Sequence, residues 1–462
     1  MFARFPISLC APRHLPMAAT VATLLGLAAP AAYATSITVL SCTDGGVSDV
    51  SVNLRNSIAA AGEGFFIDMS TLTCPNSRIT LQQGEIPVLQ DSLHIQGPGM
   101  NALSIYAASG IASRVFNHTG HSTPGAFSID DVSIRNGFVN VTGADAKGGC
   151  IYSKGRLYLV HAAVTGCAAY AYYAKAQGGG VYAKGHIGLS YALISNNTAY
   201  AYGGSNAEGG GAFTFDMLVQ HSTISNNGAF TRSSGHGDAG GLRAFGGVNI
   251  SNSTIAGNLA SHGYGGALIK GAVGVTTISS STISGNAADI VGGVYTTQQS
   301  SIFNSTIAFN QAQTGGIAAG FAQGIQKIEL QSTLIANNSY GPSASQYDFS
   351  SMGTVASTSS DNLVRDPRFT PLPTGQGNIV GACPLLGPLR FNGGPTPTHA
   401  LLRSALLSTN PAIDHGDAHG AGSDQRGYAR VSPLNGTADI GAYEVQQDDI
   451  VFSAGFDGCP AL

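Results

Sequence analysis

The sequence predicts an all-β fold: a parallel β-helix of stacked coils, with a helical cap at its N-terminal end and an irregular cap at its C-terminal end. Three observations predict it. The phrase Ser-Thr-Ile-x-x-Asn recurs at 222–227, 253–258, 281–286 and 305–310, with degenerate copies at Ile134, Val164, Ile194 and Leu334. Successive copies follow at a spacing of roughly 24 to 31 residues, and a repeat of this length marks a solenoid. Between copies, short β-branched runs alternate with Ser, Thr and Asn at period two and end at Gly or Asn, which is strand spacing with turn residues at the boundaries.

One repeat cannot bury its own apolar face, so equivalent coils must stack. Ile224, Ile255, Ile283 and Ile307 then form one internal ladder. The closing residues Asn197, Asn227, Asn258, Asn286, Asn310 and Asn337 fall at a turn, where stacked amides can bond to one another and to backbone. Gly pairs such as Gly178-Gly179 and Gly209-Gly210 open the next corner and allow positive φ there.

The elements follow in chain order. Arg4 and Arg13 precede an apolar stretch at 17–29, and Ala32-Tyr33-Ala34 supplies small residues at a cleavage site. Residues 1–34 read as a secretory signal peptide cut near Ala34. Residues 35–125 hold the N-terminal cap and first coils; Asn53 to Ala61 reads as an amphipathic helix with Leu54, Ile58 and Ala61 on one face. The regular coils occupy 126–340. Proline then becomes frequent (Pro367, Pro371, Pro373, Pro384, Pro388, Pro395, Pro397), which disfavours strands, so 341–445 should be a C-terminal cap wrapped on the last coil. A short tail fills 446–462.

Composition narrows the partners. Only 10% of the 462 residues are charged and the net charge is −4, so there is no basic stripe for nucleic acid. No later run is long enough to span a membrane. Six cysteines remain after the signal peptide. Proximity pairs Cys42 with Cys74 and Cys150 with Cys167, and elimination leaves Cys383 with Cys459, as an oxidising compartment permits.

The C-terminal segment resembles the bacterial choice-of-anchor Q domain. The resemblance rests on Asp361-Asn362-Leu363-Val364, Asn392-Gly393-Gly394-Pro395-Thr396-Pro397-Thr398-His399, Asn410-Pro411-Ala412-Ile413-Asp414, Asp424-Gln425-Arg426-Gly427 and Asp439-Ile440-Gly441-Ala442-Tyr443-Glu444. Leu54-Arg55-Asn56-Ser57-Ile58 is similar to the Leu-Arg-x-Ala-Ile segment that opens many such proteins, with Ser57 in place of Ala. The coils resemble right-handed, pectate-lyase-like β-helix repeats and polymorphic outer-membrane-protein repeats. The tail at 449–457 resembles Gly-Phe-Glu endings of exported proteobacterial proteins, with Asp457 in place of Glu. The resemblance implies a monomeric protein secreted from, or displayed on, a Gram-negative cell, and it implies no set activity.

Standard catalytic motifs are missing. Gly235-His236-Gly237-Asp238-Ala239-Gly240 spells a dinucleotide fingerprint but lacks the strand-to-helix context. Function is therefore expected in the segments between each Asn turn and the next Gly pair, read as loops sharing one flank. They carry Tyr170, Tyr172, Tyr200, Tyr202, Arg232, His262 and Tyr264, residue types that suit binding of an extracellular glycan or surface protein. The alternative is a polysaccharide lyase or glycoside hydrolase using Glu208, Asp238 and His236; a second alternative is a structural envelope protein. No cofactor or metal is expected, with calcium entering only under the lyase alternative.

Overall fold

The computed structural model describes residues 35–45, 52–120, 125–232, 234–313, 318–341, 345–402, 410–431, 436–446 and 449. The proposed signal peptide, most of the tail and Cys459 lie outside these residues. The chain winds into a right-handed parallel β-helix of about 10 turns.

Three sheets wall the tube. Sheet 1 runs from Ser36–Thr38 to Ile328–Gln331, sheet 2 from Arg78–Leu81 to Ile379–Val380, and sheet 3 from Ile86–Val88 to Phe349–Ser351. Sheet 2 carries the repeated phrase. Its aliphatics stack in register from Ile134 through Val164, Ile194, Ile224, Ile255, Ile283 and Ile307 to Ile335. The last rung is Ile335 rather than Leu334. Inward residues of all three sheets form one continuous buried core.

The corner after sheet 2 is held by an asparagine ladder. Asn197 Nδ2 donates to Asn227 Oδ1 at 2.9 Å, and the same bond repeats from Asn227 to Asn258, Asn286, Asn310 and Asn338 at 2.8–3.0 Å. Each Nδ2 also donates to a backbone carbonyl of the preceding coil, as Asn258 does to Ile224 at 3.0 Å. Each Oδ1 also accepts the backbone N–H of the preceding rung, as Asn258 does from Asn227 at 3.0 Å. Both amide protons and the amide oxygen are thus satisfied in a fully buried row, the condition under which burying amides is not penalised. The final rung is Asn338, not Asn337. Asn337 instead takes the left-handed conformation (φ 60) outside the ladder, like Asn196 and Asn226 in earlier coils.

The ladder has distinct ends. The first amide oxygen, of Asn197, accepts the Cys167 N–H at 3.0 Å; Cys167 occupies the rung position and is bonded to Cys150. At the other end the Asp348 carboxylate accepts both the backbone N–H and Nδ2 of Asn338 at 2.8 Å, and the Asp366 N–H at 3.0 Å. Burial pushes this carboxyl up to about 7, against the pull of those donors, and the Asp366 charge adds to the rise.

The helix Leu54–Ala60 buries Leu54 and Ile58 in the first coil, and Asn53 Oδ1 caps it by accepting the Asn56 N–H at 2.9 Å. Arg55 reaches out to Asp44 at 2.7 Å and to the carbonyls of Gly84 and Glu85. Cys42 is bonded to Cys74.

The C-terminal segment does more than close the last coil. Residues 345–380 add the final strands, but the described residues 386–402, 410–431 and 436–445 turn back along the outer face of sheet 2. There it meets the Thr residues of successive phrases. Thr254 Oγ1 donates to Pro397 O at 2.7 Å, Thr282 Oγ1 to Gln425 Oε1 at 2.6 Å, and Thr306 Oγ1 accepts the Ala442 N–H at 3.0 Å. Gln425 Nε2 also donates to Thr254 Oγ1 and Thr396 Oγ1, each at 2.9 Å. Behind this contact Asp424 pairs with Arg426 at 2.9 Å, and the Arg426 guanidinium lies 3.6 Å from the Tyr443 ring centre. Pro397, Gln425 and Ala442, which make these contacts, lie within three of the motifs that resemble the choice-of-anchor Q domain.

Two outcomes follow. Asn258→Ala strands buried donors and acceptors in two neighbouring coils and should cost about 3 kcal/mol, whereas Asn249→Ala, exposed on sheet 1, should change stability by less than about 0.5 kcal/mol; thermal melts compare them. The raised Asp348 makes the folded chain hold a proton that the unfolded chain releases between about pH 4 and 7. Its stabilisation is full below that window and lost as pH rises through 7. The melting temperature should fall from pH 5 to pH 8, and Asp348→Asn should flatten that slope; Asp439, raised to about 6 by burial, supplies a remainder of the same sign.

Candidate functional site

The segments read as variable loops are strands. In the coils from 138 to 238 the chain leaves the Asn corner along sheet 4, which begins with Phe138–Thr142, Ala168–Tyr172, Thr198–Tyr202 and Gly228–Thr231. It returns along sheet 5, made of Ala146–Lys147, Ala176–Gln177, Ala207–Glu208 and Gly237–Asp238. Ala169, Ala171, Ala199 and Ala201 of the outgoing layer and Ala146, Ala176 and Ala207 of the returning layer share one buried cluster. The two layers form an arm projecting from the tube, thin because its core is alanine.

The arm sets the coil length. Asparagine rungs are 30 residues apart from Asn197 to Asn227, beside the arm, and 24 residues apart from Asn286 to Asn310, where sheet 5 has ended. Its root explains the Gly pairs. A Cβ on Gly179 would lie 2.2 Å from the Thr198 carbonyl carbon, and one on Gly210 2.2 Å from Gly228 O. Outgoing and returning backbones touch there, a constraint beyond the positive φ of Gly178 and Gly209 (64 and 65).

Strand alternation sends alanine inward and aromatic residues outward. Tyr170 pairs with Tyr200 and then Phe230; Tyr172 pairs with Tyr202. The outer face thus carries two columns. In one, Tyr170 and Tyr200 lie 5.4 Å apart between ring centres, tilted by 47°, and Phe138, two residues off that register in the preceding coil, meets Tyr170 edge-on at 5.2 Å and 84°. In the other, Tyr172 and Tyr202 lie flat on each other at 4.4 Å and 5°. All four tyrosines are half-buried, and Arg232 is exposed at the edge. Partial removal from water, and then the neighbouring Tyr202, hold the Tyr172 and Tyr200 phenols above their ordinary range, while Arg232 opposes the rise. Tilted rings at one coil spacing, roughly 4.8 Å, expose apolar edges and part-faces next to phenol hydroxyls.

The candidate acids occupy the other side of the arm. Lys147, Gln177, Glu208 and Asp238 form one outward row on sheet 5. That row faces a stacked column on sheet 3: Tyr152 on Tyr182 at 5.4 Å and Tyr182 on Phe213 at 5.1 Å, with Arg243 next in register. Lys147 Nζ lies 5.6 Å from the Tyr182 ring centre. The corner is filled rather than open. Glu208 is 8% exposed and accepts from Gln177 Nε2 at 2.8 Å, and Arg243 is 6% exposed. Glu208 and Asp238 are successive members of one row, not partners across a cleft. Burial raises Asp238 and adjacent Glu208 adds to it, with His236 opposing; His236 itself is exposed. Tyr264, stacked on Tyr295 at 4.7 Å and pushed by burial up to about 12, belongs beside this corner; His262 is exposed, with Nδ1 3.4 Å from Thr231 Oγ1 of sheet 4.

The seven binding candidates and three acid–base candidates therefore do not share a flank. Tyr170, Tyr172, Tyr200, Tyr202 and Arg232 lie on one face of the arm; Glu208, Asp238 and Tyr264 lie on the other. Phe138 and Phe230, which complete the tyrosine face, and Tyr152 and Tyr182, which line the corner, are additional. Their recurrence at about one coil length along the chain is the signal that would have located them. Among the described residues no helix is long and apolar enough to cross a membrane. No family model, curated protein or solved structure matches the chain.

The alanine core makes the tyrosine face separable from the fold. A Tyr200→Ala/Tyr202→Ala variant should keep the β-sheet circular dichroism signal and melt within a few degrees of the parent, since both rings lie outside the arm core; Ala201→Tyr, which overfills that core, should melt earlier, at a cost of about 1–3 kcal/mol.

Proposed function

We propose that the protein is an exported bacterial β-helix protein that binds an extracellular polysaccharide along the tyrosine face of its arm and does not cleave it. The observation that carries this is the repeated, half-exposed aromatic pair at successive coils, with Arg232 beside it. A linear polymer lying along the helix axis meets the Tyr170–Tyr172 pair and, one coil on, the Tyr200–Tyr202 pair, so weak contacts add along the chain. Apolar ring surface next to hydroxyl donors suits sugars, whose apolar C–H faces and hydroxyl groups alternate.

Export is supported by the signal-like sequence at 1–34, by two disulfides and by the choice-of-anchor Q resemblance. Burial of Glu208 and its bond to Gln177 weigh against the hydrolase or lyase alternative. One observation favours that alternative: the raised Asp238 beside Glu208, an arrangement that can keep one carboxyl protonated as a general acid.

Affinity electrophoresis of residues 35–462 in gels cast with neutral or uronic-acid polysaccharides tests the proposal. At least one polymer should retard the protein, and Tyr200→Ala/Tyr202→Ala should weaken retardation tenfold or more, about 1.4 kcal/mol or above. Retention of full retardation by that variant would sink the proposal. Chain shortening by the parent but not by Asp238→Asn would replace it with the hydrolase or lyase reading.

A further inference from the structure

The seam between the coils and the docked C-terminal segment holds a cleft of about 500 Å³. Its coil side is sheet 2 and the corner beyond it, with Ser225, Asn226, Ala256 and Ser284. Its other wall is Pro388, Leu389 and Pro397 of the returning segment. Both Ser284 and His399 line this cleft, and His399 Nε2 lies 2.7 Å from Ser284 Oγ. The other ring nitrogen, Nδ1, lies 2.6 Å from Gly387 O.

That second contact settles the tautomer. A carbonyl oxygen only accepts, so Nδ1 carries the proton and Nε2 presents its lone pair to the Ser284 hydroxyl. Burial lowers the imidazole to about 4, so the ring is neutral across the physiological range. A serine hydroxyl aimed at an oriented, neutral imidazole is the nucleophile-and-base arrangement of acyl transfer, with a peptide carbonyl in the orienting place that a carboxylate takes in a full triad.

Docking alone does not call for serine at this position. The register neighbours of Ser284 are Ala256 and Ala308, and the returning segment is already held by Thr254, Thr282 and Thr306. Across these three adjacent coils the hydroxyl stands only where the imidazole stands.

We propose that Ser284 and His399 form an esterase centre in the seam, acting on carboxylic esters with a small acyl group that the apolar walls accommodate. Ser284 Oγ attacks the acyl carbon as its proton passes to His399 Nε2. The ester C–O bond then breaks, and the departing alkoxide takes that proton and leaves as the alcohol. Water, deprotonated by His399, attacks the acyl-serine, releasing the carboxylic acid and restoring the hydroxyl.

The test uses residues 35–462 with p-nitrophenyl acetate and, separately, a fluorophosphonate probe read by peptide mass spectrometry. Ser284→Ala is expected to fold normally, because alanine is native at the same place in both flanking coils. Ser195→Ala removes a serine of the same register that lies outside the cleft. The expected result is p-nitrophenolate release at least tenfold above the Ser284→Ala level, unchanged by Ser195→Ala, with phosphonylation at Ser284 and kcat/KM level from pH 8 down to about 5. Equal release by parent and Ser284→Ala, or a probe that leaves Ser284 unmodified, overturns the proposal and makes the Ser284–His399 bond a docking contact. Polysaccharide retardation by the arm is independent of either result, since no arm tyrosine lines the seam.

Discussion

From Cys167 to Asp348 each coil is held to the next by one buried corner in which an asparagine amide must find all of its partners in the coils above and below. That requirement fixes the register. A slip of one residue would turn the stacked isoleucines outward and leave amide groups without partners in a dry interior, each at a cost of about 1–3 kcal/mol. It constrains the corner and not what lies between corners, so the spacing of the rungs can lengthen from 24 to 31 residues without disturbing the row. The arm takes up part of that added length, since rungs past the end of sheet 5 still reach 28 residues apart. The ends of the row are chemically different from its middle: a disulfide-bonded cysteine whose N–H starts it, and a carboxylate, which only accepts when ionised, to finish it.

The same phrase serves four directions at once. Its Ile fills the tube, and its Asn holds the corner that follows. Its Ser holds the corner that precedes: Ser253 Oγ accepts the Ser222 N–H at 3.1 Å and donates to Ser251 O at 2.7 Å. Its Thr points outward, and over three coils it is covered by Gln425, Pro397 and Ala442. A chain segment far away in sequence thereby ties several coils together along their length, where end-to-end stacking alone ties only neighbours. The cleft with Ser284 and His399 exists because the returning segment lies across the sheet.

Much of the frame was legible from the residues, because its period is strong. The isoleucine ladder, the asparagine corner, the N-terminal helix and two disulfides follow from spacing, capping and proximity. The last rung was misplaced by one, at Leu334 and Asn337, because Leu334-Ile335 and Asn337-Asn338 each offer two acceptable residues and only the packed core chooses between them. The arm was not legible as strands. Ala168-Ala169-Tyr170-Ala171-Tyr172 lacks the β-branched residues that signal a strand, and its inward positions are small because the opposing layer is close. Read as loops, these segments put Glu208 and the tyrosines on one flank; an alanine sandwich separates them. The covering of Thr254, Thr282 and Thr306 depends on partners distant in sequence, which no local pattern reveals. His399 was visible only as part of a family-like motif, and its partner Ser284 only as part of the repeat.

The repeating residues build the frame, and under the proposed function the outward tyrosines of the arm carry recognition. Hydrogen–deuterium exchange by mass spectrometry, with and without a polysaccharide that retards the protein, tests that division most directly. Protection is predicted in peptides covering 168–172, 198–202 and 228–232, with 176–177, 207–208 and 237–238 on the other side of the arm unchanged. Protection confined to those sheet 5 peptides and the facing Tyr152–Tyr182 column would contradict it and place recognition in the corner with Glu208 and Asp238.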